Sequence, residues 1–358
     1  MEIENINIYD LVPIQISTLI EKLQAALEIV KTRKQTKSNV AIYEIDEEKH
    51  RCIYCHGYNI IKYGHDKNGT QTYKCKDCSK RFNALSDTVI SKTHLSYKQI
   101  EIFLECFRDK ISIRKTAKRM NVNKKTVHLL RLKMMDSLKE IRENIKLEGE
   151  IECDEHYESI NLKGTKPSKM PRASKKRTSQ GTSLRGISSH KVCIESAIDE
   201  HDNMFLEIVG TGPITSEMVK ESLTPKLGAV KTLVTDCKSS YESEAKANSW
   251  NLKQVKSNCH VDSEGNNLAD INNLHSGLSN FLSRFKGVST KHLQGYLDWY
   301  AFDRYLNYSF EEDKKVEKIL NSVINRSTDI TISNAYDNSS GIDFSKIYSD
   351  YDYSPSAS

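Results

Sequence analysis

Four cysteines restrict the fold of this chain more than any other feature of its sequence. Cys52-x-x-Cys55 is followed, after 19 intervening residues, by Cys75-x-x-Cys78. Two pairs at this spacing are typical of a zinc site with four thiolate ligands, in which each pair lies on a tight turn. Because four sulfurs complete a tetrahedral shell, we expect a structural zinc that replaces the core so short a module cannot build. Residues 49–90 are therefore predicted to form a zinc ribbon, with four unrelated buried cysteines as the alternative.

The composition is that of a globular protein with more than one domain. The chain has 358 residues and a mean hydropathy of −0.59, enough length for two or three domains. No stretch approaches the ~18 consecutive apolar residues of a membrane span, and the first residues lack the features of a secretory signal. We therefore expect no membrane contact and a cytoplasmic location. Nine cysteines in a reducing compartment indicate metal ligands and buried thiols before disulfides.

Changes in sequence texture divide the chain into five segments. Periodic apolar residues predict helices, and alternating strand-like and helix-like runs predict an α/β domain. The segments are an N-terminal helical segment (1–48), the zinc ribbon (49–90), a helical module (91–147), an α/β domain (148–310) and a polar C-terminal tail (311–358). The predicted fold class is therefore multidomain α+β.

The helical module contains a helix, a tight turn and a second helix. Ser112 and Asn123 can cap the two helices, and Asn121 tolerates the left-handed conformation of the turn. This arrangement predicts a helix-turn-helix unit whose second helix enters a major groove, with a plain helical hairpin as the alternative. The residues predicted to pack inward are Val127, Leu130 and Met134. The residues predicted to contact DNA are Lys124, Lys125, His128 and Arg131.

Basic residues are concentrated in the cysteine module and in a loop. In the module they alternate with Tyr63, Tyr73 and Phe82, which predicts a nucleic-acid contact surface. Between Leu162 and Lys191 the chain has no acidic residue, and Pro, Gly, Ser and Thr occur throughout. The nine basic residues of this stretch are Lys163, Lys166, Lys169, Arg172, Lys175, Lys176, Arg177, Arg185 and Lys191. The stretch is interpreted as a loop that holds a phosphate backbone, with a solvated linker as the alternative.

Two aspartates follow strand-like runs in the α/β domain. Asp154 ends the run Glu-Ile-Glu-Cys-Asp, and Asp236 ends the run Lys-Thr-Leu-Val-Thr-Asp. Carboxylates from adjacent strands can hold divalent metal ions about 3.5–4 Å apart, the geometry used in phosphoryl transfer. The alternative is that both aspartates only form turns.

The order of these motifs resembles that of bacterial insertion-sequence transposases, in particular the insertion sequence fifteen-ninety-five family. The similarity extends from about Cys52 to Tyr300. Besides the zinc and helix-turn-helix modules, the motifs that carry it are Asp154-Glu155-x-Tyr157, Ser159-x-x-x-Lys163-Gly164, Pro171-Arg172, Arg185-Gly186, Val192-Cys193, Asp236, Asn272-x-x-His275-Ser276 and Phe285-Lys286-Gly287-Val288 followed by Lys291, Leu293, Tyr296 and Trp299.

The resemblance implies a ribonuclease-H-like catalytic domain with a metal triad of Asp, Asp and Asn or Glu. Asp154 and Asp236 match its first two members, and Asn272 matches the third of the Asn type. These residues would hold two magnesium ions, and an amide oxygen is an acceptable magnesium ligand whereas imidazole is a poor one. We therefore assign Asn272 as the ligand and His275 as a catalytic group that contacts phosphate or the attacking water, with a helix cap and a structural histidine as the alternatives.

The sequence departs from the family at one position. The family places a lysine seven residues after the triad Asn, where this chain has Ser279. Lys286 and Lys291 are the candidates for its role, and both are predicted to contact DNA.

The resemblance implies a transposase that binds the terminal inverted repeats of its element, cleaves phosphodiester bonds and transfers strands into target DNA. It also implies a homo-oligomer, at least a dimer, on DNA in the bacterial nucleoid. Two alternatives remain. One is a nuclease of the same fold that only cleaves. The other is a DNA-binding regulator derived from an inactive transposase, which Ser279 and the neutral Asn272 favour.

Neutralising Lys175, Lys176 and Arg177 together is expected to weaken DNA binding and its dependence on salt, because each phosphate contact releases counterions. The slope of log affinity against log salt concentration should fall by about 3. Sequence preference should survive, because phosphate contacts do not read bases. Anisotropy titrations of labelled DNA at several salt concentrations measure both quantities. An unchanged slope would support the solvated linker.

Overall fold

The computed structural model describes most of the chain between residues 51 and 344. The residues it describes are 51–344 except 67–68, 84–85, 87, 92, 166–187, 189–190, 257–264, 266, 312–313, 317–318, 320–327, 332, 336 and 338–339. The predicted N-terminal helical segment and five of the predicted DNA-contacting residues lie outside this range. Those five are Arg172, Lys175, Lys176, Arg177 and Arg185. The chain divides into two compact units, Met1–Ile100 and Glu101–Ser358.

The first unit contains a small antiparallel sheet. Its strands are β1 (Ile60–His65), β2 (Gln71–Cys75) and β3 (Arg81–Asn83), in the order β1-β2-β3. Alternate residues of β2 are buried, as expected for a strand with one face on a core. Among the described residues, the buried cluster beside this sheet consists of Cys52, Tyr73, Cys75 and Phe82.

Four helices follow, α1 (Tyr97–Arg108), α2 (Ile113–Met120), α3 (Lys124–Ser137) and α4 (Lys139–Asn144). The predicted caps are confirmed. Ser112 accepts a hydrogen bond from the Lys115 amide, Asn123 accepts one from the Lys125 amide, and Asn121 is left-handed with φ 53°. Val127, Leu130 and Met134 are buried as predicted. Helices α2 and α3 therefore form the predicted helix, turn and helix.

A mixed five-stranded sheet is the centre of the second unit. Its strands are β4 (Leu147–Ser159), β5 (Lys191–Asp199), β6 (Met204–Thr211), β7 (Leu227–Thr235) and β8 (Leu252–Gln254). Their order is β6-β5-β4-β7-β8. The strands β6, β5 and β4 are antiparallel, whereas β7 and β8 run parallel to β4. The strand-like runs predicted for the α/β domain are thus strands of one sheet.

Helices cover both faces of this sheet. The helices α5 (Ser216–Ser222) and α6 (Ser239–Asn248) enclose a core with Cys153, Phe205 and Tyr241, whereas α7 (Ala269–Ser283) and α8 (Leu293–Ser309) lie on the other face. Successive residues of β4 show the two sides. Cys153 belongs to the core under α6, and Glu152 accepts a hydrogen bond from the Ile271 amide of α7 at 2.9 Å. The unit therefore has three layers.

The helical module packs on α8. The rings of Phe107 and Trp299 stack with centroids 4.0 Å apart. Lys110 pairs with Asp303 at 2.7 Å, and Arg142 pairs with the buried Asp298 at 2.9 Å. These contacts place α2, α3 and α4 in the same compact unit as the sheet. The boundary that the sequence predicts at 147/148 therefore lies within this unit.

The prediction that Arg131 is exposed and contacts DNA is wrong. Only 2% of Arg131 is exposed, and its guanidinium donates to the Ile111 carbonyl and lies 5.3 Å from the Trp299 ring. In an isolated helix-turn-helix this side of α3 would face solvent, but α8 covers it. Gly295 allows the close approach, since a Cβ there would lie 3.1 Å from Met135 Cβ.

None of the helices in the described part of the chain combines the length and apolar character that a membrane span requires.

Candidate metal and nucleic-acid sites

The four cysteines of the first unit converge on one point. All four sulfurs lie within 4.8 Å of one another, and the Cys52–Cys78 and Cys55–Cys75 sulfur distances are each 3.6 Å. A tetrahedral zinc with Zn–S bonds of ~2.3 Å requires sulfurs about 3.8 Å apart. The residues present therefore fit a four-thiolate zinc.

The two cysteine pairs lie on turns of the same design. The Cys52 amide donates to the Gly57 carbonyl at 2.8 Å, and the Cys75 amide donates to the Lys80 carbonyl at 3.0 Å. The residue after each second cysteine is left-handed, with φ 58° at His56 and 60° at Ser79. The turn at the first pair thus uses His56 rather than Gly57 as its left-handed residue. At Gly57 a Cβ would lie 2.3 Å from Asp77 Oδ2, so a larger residue there would displace the Asp77 side chain.

Aromatic and basic side chains share the outer surface of this unit. The predicted contact residues Tyr73 and Phe82 are instead core residues, each 3% exposed. Tyr63 is exposed, and the Arg81 guanidinium lies 4.1 Å from its ring. Lys80 lies over the exposed Tyr54 ring at 4.6 Å. These cations on exposed rings form a surface suited to phosphates and bases.

In the second unit, the pairing of β4 with β7 brings Asp154 and Asp236 together. The last paired residues are Cys153 and Thr235, and each aspartate is the next residue along its strand. Asp236 follows the end of β7 as predicted. Asp154, however, does not end its strand, because β4 continues to Ser159 along β5. Asp154 lies at an edge only because the neighbouring strand β7 ends beside it.

One ammonium group joins the carboxylates at this edge. Lys238 Nζ lies 3.4 Å from Asp154 Oδ1 and 3.0 Å from Asp236 Oδ2, and it also pairs with Glu155 Oε2. Burial lowers the pKa of Lys238, but Glu155 and the two aspartates outweigh this and raise its pKa well above the usual value. Burial raises the pKa of Glu155, whereas Lys238 opposes that shift.

The edge fits a divalent cation. Glu155 Oε1 and Asp236 Oδ1 are buried and have no hydrogen-bond partner among the described residues. Unpaired buried carboxylate oxygens are costly, and oxygen ligands of this kind are those that magnesium prefers. Sequence reasoning assigned no role to Glu155 or Lys238. Their positions were the available signal in the sequence, since Glu155 is one residue after Asp154 and Lys238 is two residues after Asp236.

Of the two candidates for the third position, His275 is the one with a contact to Asp154. Its Nδ1 lies 3.9 Å from Asp154 Oδ2, while Nε2 is buried without a partner in the described part of the chain. Burial lowers the pKa of His275 to about 4, helped by His156 and Lys238, so the ring is neutral near pH 7. Asn272 and Ser279 are exposed on the same helix.

A row of glutamates lies across three strands behind this edge. Glu155 of β4 is opposite Glu195 of β5, which is opposite Glu207 of β6. Burial raises the pKa of Glu195 to about 8. Ser222 Oγ contacts both the Glu195 carboxyl and the Met218 carbonyl, and its single hydrogen can serve only one of them. Glu195 Oε2 accepts a hydrogen bond from Ser222 Oγ, so the buried carboxyl has a partner on α5.

The remaining predicted DNA contacts are spread over the second unit. Lys124 and Lys125 are exposed on the first turn of α3. His128 is half-buried, with its ring centroid 6.1 Å from that of His292. Lys286 is exposed in the turn after α7, and Lys291 is half-buried with its pKa lowered by burial.

The basic loop begins and ends beyond Asp154 along β4. At its start, Asn161 exchanges hydrogen bonds with Thr290, and Lys163 Nζ donates to the Gly287 carbonyl at 3.3 Å. At its end, Lys191 Nζ donates to Ser159 Oγ at 3.2 Å. The start of the loop is thus fixed to the turn that carries Lys286, and its end is fixed to strand β4.

Comparison with known proteins gives one related sequence and distant structural likenesses. No family model matches the chain. It is 27% identical over 259 residues to an uncharacterized protein in transposable element ISH50 of Halobacterium salinarum, a match that covers 69% of this chain and 82% of the relative.

Two of the similar solved structures contain Mos1. The Mos1 strand transfer complex gives a TM-score of 0.26 at 11% identity, covering 64% of this chain and 75% of that one. The Mos1 transposase paired-end complex with the left transposon end gives a TM-score of 0.26 at 10% identity, covering 63% of this chain and 79% of that one. TM-scores this low do not show a common fold.

Replacing Cys75 with serine is expected to remove most of the zinc, because a hydroxyl cannot replace a thiolate ligand and the metal holds this unit together. Metal analysis of the purified chain should give one zinc for the wild type and much less for Cys75→Ser. Cys237→Ser, which changes an exposed thiol of the second unit, is the control and should keep its zinc. Full zinc content in Cys75→Ser would contradict the four-thiolate site.

Proposed function

We propose that this chain is a DNA transposase that binds the terminal inverted repeats of an insertion sequence, cleaves phosphodiester bonds there and joins the ends to target DNA. The observation that carries the proposal is the meeting of Asp154 and Asp236 at the point where β7 ends beside β4. Two carboxylates fixed to adjacent strands form a rigid site for divalent cations at an open edge.

The sheet supports this assignment. The sheet has three antiparallel strands followed by two parallel ones, and the first of them, β4, lies in the centre. This arrangement is typical of a ribonuclease-H-like domain. This is the fold that the resemblance to the insertion sequence fifteen-ninety-five family implies. The related sequence from Halobacterium salinarum, which is described as part of a transposable element, is consistent with the same assignment.

The other modules supply the contacts to DNA. Lys124 and Lys125 on the first turn of α3 are free of the α8 contact and are placed to meet a groove. The zinc ribbon offers Tyr63 and Arg81 to the backbone and bases. The basic loop is connected to the end of β4, the strand that carries Asp154, and we propose that it holds the scissile strand by its phosphates. Joining two element ends requires both in one complex, so the active form is at least a dimer.

Magnesium is the proposed cofactor. When bound, it would activate the attacking water or 3′-hydroxyl and stabilise the leaving oxygen. The chain's own residues position that chemistry. Asp154 and Asp236 fix the site to the sheet, and a neutral His275 at 3.9 Å from Asp154 is placed to accept or donate a hydrogen bond to water or phosphate. Asn272, exposed one turn before His275, is the proposed third ligand.

Asp236→Asn and Asp154→Asn are each expected to lower strand transfer at least about a hundredfold, because lost metal binding removes several kcal/mol of transition-state stabilisation. Binding to element ends should change less than about twofold, since the DNA readers lie elsewhere. Gel assays with labelled ends measure both. A variant that joins ends at the wild-type rate would reject the assignment. Cleavage without joining by the wild type would indicate the nuclease, and binding without cleavage the regulator.

The third ligand is tested by replacing Asn272 and His275 separately with alanine. If Asn272 is the ligand, Asn272→Ala should need a higher magnesium concentration for half-maximal strand transfer, whereas His275→Ala should lower the rate without changing that concentration. Ser279→Ala, on the same exposed side of α7, is the control and should behave as wild type. Normal transposition by Asn272→Ala, together with a raised magnesium requirement in His275→Ala, would move the assignment to His275.

A further inference from the structure

Lys238 holds together three acidic side chains that would otherwise repel one another. Its ammonium group contacts Asp154 and Asp236, 3.4 and 3.0 Å away, and also pairs with Glu155. Glu155 approaches from the face of the sheet under α6, whereas Asp154 points to the face under α7. The ammonium therefore lies at the sheet edge, between the two residues proposed as metal ligands.

A single ammonium does not satisfy this site. Three carboxylates and one lysine leave a formal excess of two negative charges. Lysine has three N–H donors, and Glu155 Oε1 and Asp236 Oδ1 remain buried without a partner in the described residues. A divalent ion carries twice the charge and accepts six or more oxygen ligands, so it compensates the site better.

Lys238 is also the member of this group that can leave. Its side chain is 33% exposed, whereas that of Glu155 is 0% exposed. Lys238 lies in the loop between β7 and α6, directly before the helix, and makes no side-chain cap bond there. A flexible four-carbon stem that starts at the surface can turn into water once another cation compensates Glu155, and the buried Glu155 itself cannot.

A purely structural ion pair explains less of this geometry. The buried Glu155 needs a cationic partner, and one contact would satisfy that need. It does not require the same ammonium to contact two partly exposed aspartates, Asp154 on β4 and Asp236 after β7. Occupation of a cation position shared by Asp154 and Asp236 accounts for all three contacts.

We infer that Lys238 is an internal substitute for a metal ion. Its ammonium group occupies the cation position between Asp154 and Asp236 and turns out to solvent when a divalent ion binds. This inference rests on the proposed function, since it assumes that the two aspartates bind metal. It assigns Lys238 two effects. The lysine stabilises the metal-free site, and it competes with the metal and thereby raises the concentration that the site requires.

The test is direct measurement of Mn²⁺ binding to the full zinc-loaded chain without DNA, by electron paramagnetic resonance. Lys238→Met removes the charge and keeps an apolar stem, so its dissociation constant for Mn²⁺ should fall at least about tenfold below that of the wild type. The rise in melting temperature on adding Mn²⁺ should be larger than in the wild type, because the variant lacks its internal cation. Lys238→Arg keeps the charge and should stay within about threefold of the wild type.

Two further variants separate the possible failures. Lys246→Met removes a lysine of α6 that pairs with Glu242 on the surface, and its Mn²⁺ affinity should not change. Asp236→Asn should abolish the site. If Asp236→Asn binds Mn²⁺ like the wild type, the metal site of the proposed function is rejected, and the inference with it. If Asp236→Asn loses the site but Lys238→Met binds no tighter than the wild type, only the inference is overturned.

Loss of the buried ion pair could unfold Lys238→Met. In that case Glu155→Gln is compared with the double variant Glu155→Gln/Lys238→Met, which has no buried charge left to compensate. The double variant should bind Mn²⁺ at least about tenfold more tightly than Glu155→Gln. Equal affinities would overturn the inference.

Discussion

The site depends on an unequal pairing of strand β4. On one side β4 pairs with β5 up to Ser159, and on the other it pairs with β7 only up to Cys153. Where β7 stops, Asp154 is still held by the backbone hydrogen bonds of β4 and β5, yet one of its flanks is open. Asp236, the first residue after β7, is fixed at the same level. The separation of the two carboxylates is thus set by strand pairing rather than by flexible loops, which is the rigidity that metal chemistry needs.

The two units are stabilised in different ways. The second unit buries a sheet between two pairs of helices, and α8 extends that core to the helical module through Trp299. In the first unit, the buried cluster beside the sheet has four members in the described residues, two of them cysteines. Apolar burial on this scale is too small to hold a fold, and the four thiols would lie against one another without a shared cation. A zinc ion bound by these four cysteines would therefore stabilise the fold of this unit.

The sequence predicted features that depend on local rules. The cysteine spacing, the caps at Ser112 and Asn123 and the left-handed Asn121 each depend on neighbouring residues alone. Features that depend on distant packing were missed. Arg131 lies on the polar side of α3, and only the arrival of α8 buries it.

Lys238 was missed for a related reason. Nothing in its own segment shows that its side chain folds back to meet Asp154 and Glu155, which are more than eighty residues earlier in the chain. The roles of Asn272 and His275 are proposals. The helix that carries both residues buries its other side through Leu274, Leu278, Phe281 and Leu282.

The row of Glu155, Glu195 and Glu207 has a consequence for how the sheet assembles. Each glutamate has a different partner, Lys238, Ser222 and Arg142 respectively, and each partner comes from a separate helix or loop. A slip of one residue between β4 and β5 would turn the side chains of one strand to the opposite face of the sheet. Its buried carboxyls would then lie among apolar groups without their partners. Apolar residues such as Val192, Ile194 and Ile198 tolerate either face of this doubly covered strand. The acidic row therefore permits a single alignment of the central strands, which the apolar residues alone could not select.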